Sequence, residues 1–280
     1  MSNQLATLGE LFSSSWEEYK KRAMPILAVI LISTGVVGSL AVVLVLFAGF
    51  GGAFMVHANI YQSWFILMIA FSCALFFTVI ILGLWFHTAM LAIVVDESLG
   101  IIEAFRRGWK YLWPMTWVMG IFSGIIVTGF IFGILPGILC LVWFSFSFYI
   151  LLEEDKRGMD SMLASMEYVR GDWWNIFGKL FVVWFLYLLI SIIPFVGTLI
   201  SIFFYPFLML FMVAVYHDLK SHKGEAEVLV SSGTRLLWWV ITAIGLIVPV
   251  VALIGALIAL LNGDSIWFEQ ASYSFHGKTI

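Results

Sequence analysis

The chain has 280 residues, 62% of them hydrophobic and only 11% charged, against roughly 25% charged in ordinary soluble domains. The formal net charge of −3 decides little; the placement of the charges excludes a soluble domain. No Asp, Glu, Lys or Arg occurs from Pro25 to Val95, Tyr111 to Leu152, Leu180 to Tyr216 or Leu236 to Gly263, and a helix of about 20 apolar residues crosses a bilayer.

Residues 1–24 read as an amphipathic segment, with Leu8, Phe12 and Tyr19 on one stripe and Lys20, Lys21 and Arg22 closing it. The first span follows at Ile26–Phe50. About 25 apolar residues after two dozen others do not suit a cleaved leader, whose apolar core is roughly 7–15 residues long. The loop Gly51–Ser63 carries His57, which has no partner at ligand spacing. The second span, Trp64–Val95, contains His87. Eight residues before Val95, it lies about 12 Å from the span end, so it is expected near the boundary or hydrogen-bonded to a neighbour. "VVDESLG" (Val94–Gly100) closes that span, and Ser98–Trp113 begins the next amphipathic segment. There Ile102, Phe105, Trp109 and Leu112 share one helical face and Glu103, Arg106, Arg107 and Lys110 another.

Spans three and four, Pro114–Leu135 and Ile138–Leu152, meet at "ILPGI"; spans five and six, Ile176–Ile193 and Phe195–Tyr216, meet at "IIPFVG". Proline lacks an N–H and disfavours helical geometry in the preceding residue, so Pro136 and Pro194 mark either hairpin tips or kinks. Between the pairs, Met159, Met162, Leu163 and Met166 form another apolar stripe. Leu236–Leu261 is the seventh span, and 262–280 a polar-aromatic tail. The domain plan is thus a short N-terminal segment, a transmembrane domain over 25–261 and the tail. Cys73 and Cys140 sit inside apolar runs without disulfide or metal spacing.

Thirteen of the fourteen Lys and Arg fall in the N-terminal segment or after spans two, four and six, leaving Lys278 on the other side. The positive-inside rule then predicts a cytoplasmic N-terminus and an external tail of a multi-pass inner-membrane protein. The segments closing the even spans are alike. Asp96 and Glu154, Gly100 and Gly158, and Pro136 and Pro194 share one offset of 58 residues, which indicates an internal repeat of an amphipathic segment plus two membrane helices. The N-terminal segment with spans one and two is a divergent copy, and "EVLVSSGTRLLWW" (Glu227–Trp239) a truncated one. Helices with aromatic residues opposite Lys and Arg lie in the headgroup plane, so the fold class is all-α, seven spans with interfacial amphipathic helices.

The segments "LGELFSSSWEEYKKR" (Leu8–Arg22), "VDESLGIIEAFRRGWKYLWP" (Val95–Pro114) and "LEEDKRGMDSMLASMEYVRGDWW" (Leu152–Trp174) resemble the polytopic membrane domain attached to some bacterial glycerophosphoryl diester phosphodiesterases and also found alone. The resemblance covers Leu8 to Lys220. It implies a multi-helix membrane fold and no catalysis, because the activity of that family belongs to a separate soluble barrel.

Intramembrane ionisable residues usually mark transport or catalytic sites, and no span here has a central Asp, Glu, Lys or Arg. Glu153, Glu154 and Asp155 are followed at once by Lys156 and Arg157, which reads as a salt-laced loop rather than a metal site. No P-loop, H-E-x-x-H or G-x-S-x-G occurs. The pairs Gly120/Gly124, Gly129/Gly133 and Gly255/Ala259 permit close helix approach. Trp residues cluster at span ends as an aromatic belt. Lys20, Lys21, Arg22, Arg106, Arg107, Trp109 and Lys110 are candidate contacts for phospholipid headgroups, each cation worth about 1 kcal/mol near an anionic surface.

The expected function is a non-catalytic scaffold or accessory subunit of a membrane complex, with phospholipids, a membrane-protein partner or a second copy as partners, no cofactor and no nucleic acid. The alternative is a lipid or hydrophobic-substrate transporter. It would use a groove drawn from Ser123, Thr128, Ser145, Ser147, Tyr149, Ser191 and Ser201. A third possibility is an enzyme built on His217, Asp218 and His222.

Overall fold

The computed structural model describes residues 5–58, 62–194, 196–225 and 231–276; those described residues form nine helical stretches and no strand. They are α1 (Leu8–Ala58), α2 (Gln62–Val95), α3 (Ile101–Phe132), α4 (Ile134–Trp143), α5 (Ser147–Glu154), α6 (Met159–Val169), α7 (Trp173–Ser191), α8 (Val196–Lys223) and α9 (Ser232–His276). Taken with α4 and α5 as one broken helix, seven helices are long and apolar enough to cross a membrane: Leu8–Phe47, Ile66–Val95, Ile101–Phe132, Ile134–Glu154, Trp173–Ser191, Ile200–Lys223 and Ser232–Ala259. The protein is an all-α multi-pass membrane protein. Each span contains one of the apolar runs, where a backbone without water must satisfy its N–H and C=O groups internally, and the first and third begin in the charged segments before those runs without a break. The helix α9 runs into the tail as far as His276.

The chain divides into two compact units, one of residues 1–119 and 142–229 and the other of 120–141 and 230–280. In the first, α1 packs on α2 and α8, α8 on α7 and α6, and α2 on α5 and α8. Its buried residues concentrate toward the end where the charged loops gather: Ile26, Met90 to Val94, Ile150 to Leu152, Met162 to Ala164 and Phe207. Farther along the same helices Leu31, Val45, Phe71, Phe77 and Leu188 are exposed. Apolar exposure on that scale would mark an interaction surface in water; here it faces lipid. Cys140 is buried and Cys73 exposed, and both are free.

The two proline positions are hairpin turns. Pro136 sits in the first turn of α4, where a missing N–H costs nothing, just after Gly133 at φ +137°. A methyl on Gly129 would come within 3.0 Å of Gly137 Cα. Eight residues of continuous helix would separate those positions by about 12 Å, so the chain has reversed. Pro194 likewise lies between α7 and α8, whose Tyr187 and Phe204 rings are 6.2 Å apart.

Span four breaks at 144–146, and α6 repairs the break. Ser165 Oγ accepts from Phe146 N–H at 3.1 Å and donates to Trp143 O at 2.8 Å, satisfying backbone groups that α4 and α5 leave open. The Met stripe of α6 is buried as its spacing predicts, except that Met166 is half-buried. Ser161, Ala164 and Ser165 are buried too. The helix is therefore enclosed by protein on more than its apolar face.

Along α3 the inward face is Ala104, Gly108, Tyr111, Met115 and Val118, while Ile102, Trp109 and Trp113 are exposed. Of the apolar stripe read from the sequence, Ile102 and Trp109 are exposed, whereas Phe105 and Leu112 are half-buried and Phe105 packs on Trp85 and Phe86 of α2; Gly108, on the inward face, also meets α2. At Gly108 a methyl would approach Ala89 N and Cα within 2.8 and 2.9 Å. Gly108→Val is expected to destabilise the protein by about 1–3 kcal/mol, the usual cost of overpacking, visible as a lower Tm in detergent.

In the second unit, Thr128 Oγ1 donates to Ile241 O at 2.6 Å. A methyl at Gly124 would meet Thr242 O at 2.7 Å, and one at Gly245 would collide with Gly124 O. Small residues bring these backbones together, the usual device for helix association in lipid. Of the glycine pairs read from the sequence, Gly124 and Gly129 make such contacts, whereas Gly120 and Gly255 face open space.

Candidate functional site

The charged end of the first unit is an ion-pair network built on helix ends. The last carbonyls of a helix lack intrahelical partners and carry partial negative charge. Basic side chains fill that role three times. Arg22 of α1 donates to Ile93 O, to Val94 O at 3.3 Å and to Asp96 O at 3.3 Å. Arg107 of α3 donates to Leu152 O at 2.8 Å while pairing with Asp96 at 2.7 Å. Lys223 donates to Tyr168 O at 2.9 Å beside α6 and pairs with Asp172 at 2.8 Å.

Two acids hold most of the rest. Glu154 accepts from Tyr168 Oη at 2.7 Å, Tyr216 Oη at 2.6 Å and Lys156 Nζ at 2.6 Å, with Lys220 Nζ at 3.4 Å. Asp218 faces the buried Lys179 at 3.6 Å and accepts from Ala6 N–H at 3.0 Å. Glu153 meets His217 Nε2 at 2.8 Å and Lys220 at 2.9 Å, and Asp155 meets Arg157 at 3.1 Å. Glu153 and Glu154 thus share Lys220, while Asp155 pairs apart from them. Among the described residues no three His, Cys, Asp or Glu side chains are grouped to hold a metal ion. His217, Asp218 and His222 are likewise engaged, with His222 Nδ1 2.9 Å from Asp218 O.

Asp96 gives this end a pH dependence. The Ser98 hydroxyl at 2.6 Å, then the Ser98 N–H and Arg107, hold its carboxyl below the ordinary 3.8, against a smaller opposing effect of burial. A depressed carboxyl stabilises the fold above its unfolded value and loses that contribution as pH falls through the folded one. Below about pH 4, therefore, wild type is expected to lose Tm more steeply than Asp96→Asn, in parallel melts across pH 6 to 3.

Of the seven candidate headgroup contacts, Arg22 and Arg107 are turned to backbone carbonyls. The other five are exposed. Lys20 pairs with Glu17 at 2.7 Å, Lys21 with Glu18 at 4.0 Å, and Lys110 Nζ lies 5.6 Å over the Tyr111 ring. Trp109 packs edge-on to Trp85 at 5.4 Å. Arg106, three residues before it, is exposed. The side chain of His57 and residue Lys278 lie outside the described parts of the chain.

Two cavities line one seam of α1, α2 and α8. The larger, about 500 Å³, lies in the apolar belt and is also walled by α7; its polar lining is Ser33, Thr34, His87, Tyr187, Ser201 and Tyr205, its apolar lining Val29, Val37, Phe86 and Met90. Thr34 and Tyr205 are exposed, so it opens on the surface that meets lipid. Inside it Tyr205 Oη and His87 Nδ1 are 3.4 Å apart, at the long limit of a hydrogen bond. The smaller, about 200 Å³, lies at the charged end, lined by Ser15, Glu18, Arg22, Glu97 and His217 among others. On α2 the lining stops at Met90 and resumes at Val94, an axial separation of about 6 Å. Pro25 and Pro206 fall in the same interval on α1 and α8.

His87 thus lies against a neighbour in a cavity. Of the seven polar residues expected to make a groove, only Ser201 lines it. Ser145, Ser147 and Tyr149 are buried in the first unit without lining it, Tyr149 close to Tyr205, Ser191 donates to Leu188 O, and Ser123 and Thr128 belong to the second unit. Sequence reasoning missed Ser33, Thr34, Tyr187 and Tyr205; the spacing of Ser201 and Tyr205, i and i+4, was the available signal.

No family model matches the chain, and neither a curated protein nor a solved structure matches it.

Proposed function

We propose that the protein binds a lipid or similarly hydrophobic molecule within the bilayer and handles it without chemical change, seated in the cell membrane with its N-terminus in the cytoplasm. The observation that carries this reading is the cavity of about 500 Å³ among α1, α2, α7 and α8. Its size is typical of small-molecule sites, which are apolar with a few placed polar groups, and its opening faces lipid. The distribution of Lys and Arg supports the orientation. The family resemblance read from Leu8–Arg22, Val95–Pro114 and Leu152–Trp174 belongs to the same proposal and adds no enzymatic activity.

Gly83 offers a direct test, because it lines the cavity and a Cβ there meets no atom within 4 Å. Gly83→Phe is expected to fold normally and to lose the lipid that native mass spectrometry finds on the wild type. An unchanged lipid complement would overturn the reading.

A second reading, a subunit or scaffold for a membrane complex, is favoured by Trp109, Trp113 and Trp117, which stand at successive turns of α3 and are 60%, 82% and 59% exposed. Aromatic ridges of this kind anchor partners as well as headgroups. A stoichiometric protein retained after gentle extraction, and released by Trp113→Ala, would support it.

A further inference from the structure

Resting on the lipid-binding reading, we infer that the ligand of the larger cavity is an uncharged lipid whose head presents a hydroxyl or carbonyl oxygen, recognised by Ser201, Tyr205 and His87. The hydroxyl inventory of the helices points there first. Serines and threonines in apolar helices normally donate to their own backbone three or four residues back. Ser33, Thr78, Thr88, Thr116, Ser191 and Thr242 all do so, at 2.5 to 2.8 Å. Ser201 does not: its Oγ is buried and has no partner. A buried hydroxyl without a bond is costly, and this one stands on the cavity wall.

Ser201 and Tyr205 are i and i+4 on α8, hence on one face, with Cβ atoms about 5–6 Å apart. Tyr205 in turn lies 3.4 Å from His87 on α2, a contact long enough for an oxygen to improve on it. Two hydroxyls and an imidazole converging from two helices offer both donors and acceptors to one oxygen atom.

Charge then narrows the class. No Asp, Glu, Lys or Arg lines this cavity, and an ionised head buried without a counter-charge is strongly disfavoured. The charged groups, Glu18, Arg22 and Glu97, line the other cavity, beyond a septum about four α2 residues thick. A phosphate in the larger cavity would sit on the wrong side of it. The apolar lining and lateral opening suit a tail that runs out into the bilayer.

The test compares lipids that share their chains and differ in their heads. Delipidated full-length protein in detergent is titrated with dioleoylglycerol and with dioleoyl phosphatidic acid, for wild type, Ser201→Ala, Tyr205→Phe and Gly83→Phe. Wild type is expected to bind dioleoylglycerol at least tenfold more tightly than phosphatidic acid. Ser201→Ala and Tyr205→Phe should each weaken that binding by about tenfold, corresponding to about 1.4 kcal/mol, while Gly83→Phe abolishes it. Equal binding of the two lipids, still lost in Gly83→Phe, would overturn the uncharged-head assignment and leave the lipid-binding reading standing. The same follows if dioleoylglycerol binding ignores both hydroxyl variants. Binding of neither lipid, with no lipid retained on the native protein, would overturn both.

Discussion

Glu154→Ala is expected to lower the stability of the folded protein by about 3–5 kcal/mol, the range measured when one partner of a buried ionic cluster is removed. The side chain is 6% exposed and receives two tyrosine hydroxyls and two ammonium groups. Removing the carboxylate takes one shared acceptor from Tyr168 and Tyr216, both fully buried, and takes the charge between Lys156 and Lys220, of which Lys220 keeps Glu153 at 2.9 Å. Glu154→Gln keeps an acceptor but not the charge, and should fall between wild type and the alanine variant. The control is the adjacent Glu153→Ala. Glu153 is 26% exposed and pairs with His217 and Lys220, so solvent screens it and a loss of less than about 1 kcal/mol is expected. Thermal unfolding of the three variants in one detergent decides the matter: equal losses at 153 and 154 would mean that the cluster is solvated.

Glu154 also shows what the sequence could and could not disclose. Its place, 58 residues after Asp96 at the end of an even span, was legible, and so were the seven spans, because each follows from local chemistry; the two prolines were read only as tips or kinks. A charge-free run long enough to cross a bilayer has few other uses, and a proline between two such runs breaks the helix. Its partners were not legible. Tyr168 and Tyr216 come from α6 and α8, and nothing in the spacing of either tyrosine announces a shared carboxylate.

The same division holds for the arginines. Arg22 and Arg107 read as basic residues on interfacial segments; both segments are helical, each continuous with the span that follows. Only packing shows that the guanidinium groups cap the ends of α2 and α5 rather than facing outward with Lys20 and Arg106. For α6 the Met stripe predicted one buried face. The signal that a second face is covered lay in Ser161, Ala164 and Ser165, small residues that an exposed helix does not need. The larger cavity was the least legible feature, because its polar residues come one or two at a time from four helices and look, singly, like ordinary membrane serines and tyrosines.

Ser201→Ala is expected to raise the Tm of the delipidated protein while it weakens ligand binding. The two effects have one cause. In the wild type the Ser201 hydroxyl is buried without a partner, a situation that costs roughly 1–3 kcal/mol; alanine removes the oxygen and leaves the rest of the α8 face unchanged. At about 2–4 °C per kcal/mol for a chain of this order of size, the gain should be visible in a melt. Added dioleoylglycerol narrows or reverses the difference. A ligand that binds only the folded state stabilises it by roughly 2.7 kcal/mol at a hundred times its Kd, and the variant, binding about tenfold more weakly, receives about half of that at the same concentration. The melting curves of the two proteins should therefore converge or cross as lipid is added. Sites tuned for function commonly sacrifice stability in this way, and the sign of the change in delipidated protein is the discriminating result: if Ser201→Ala lowers the Tm there, the hydroxyl already has a partner inside the protein, and its place in the cavity is structural.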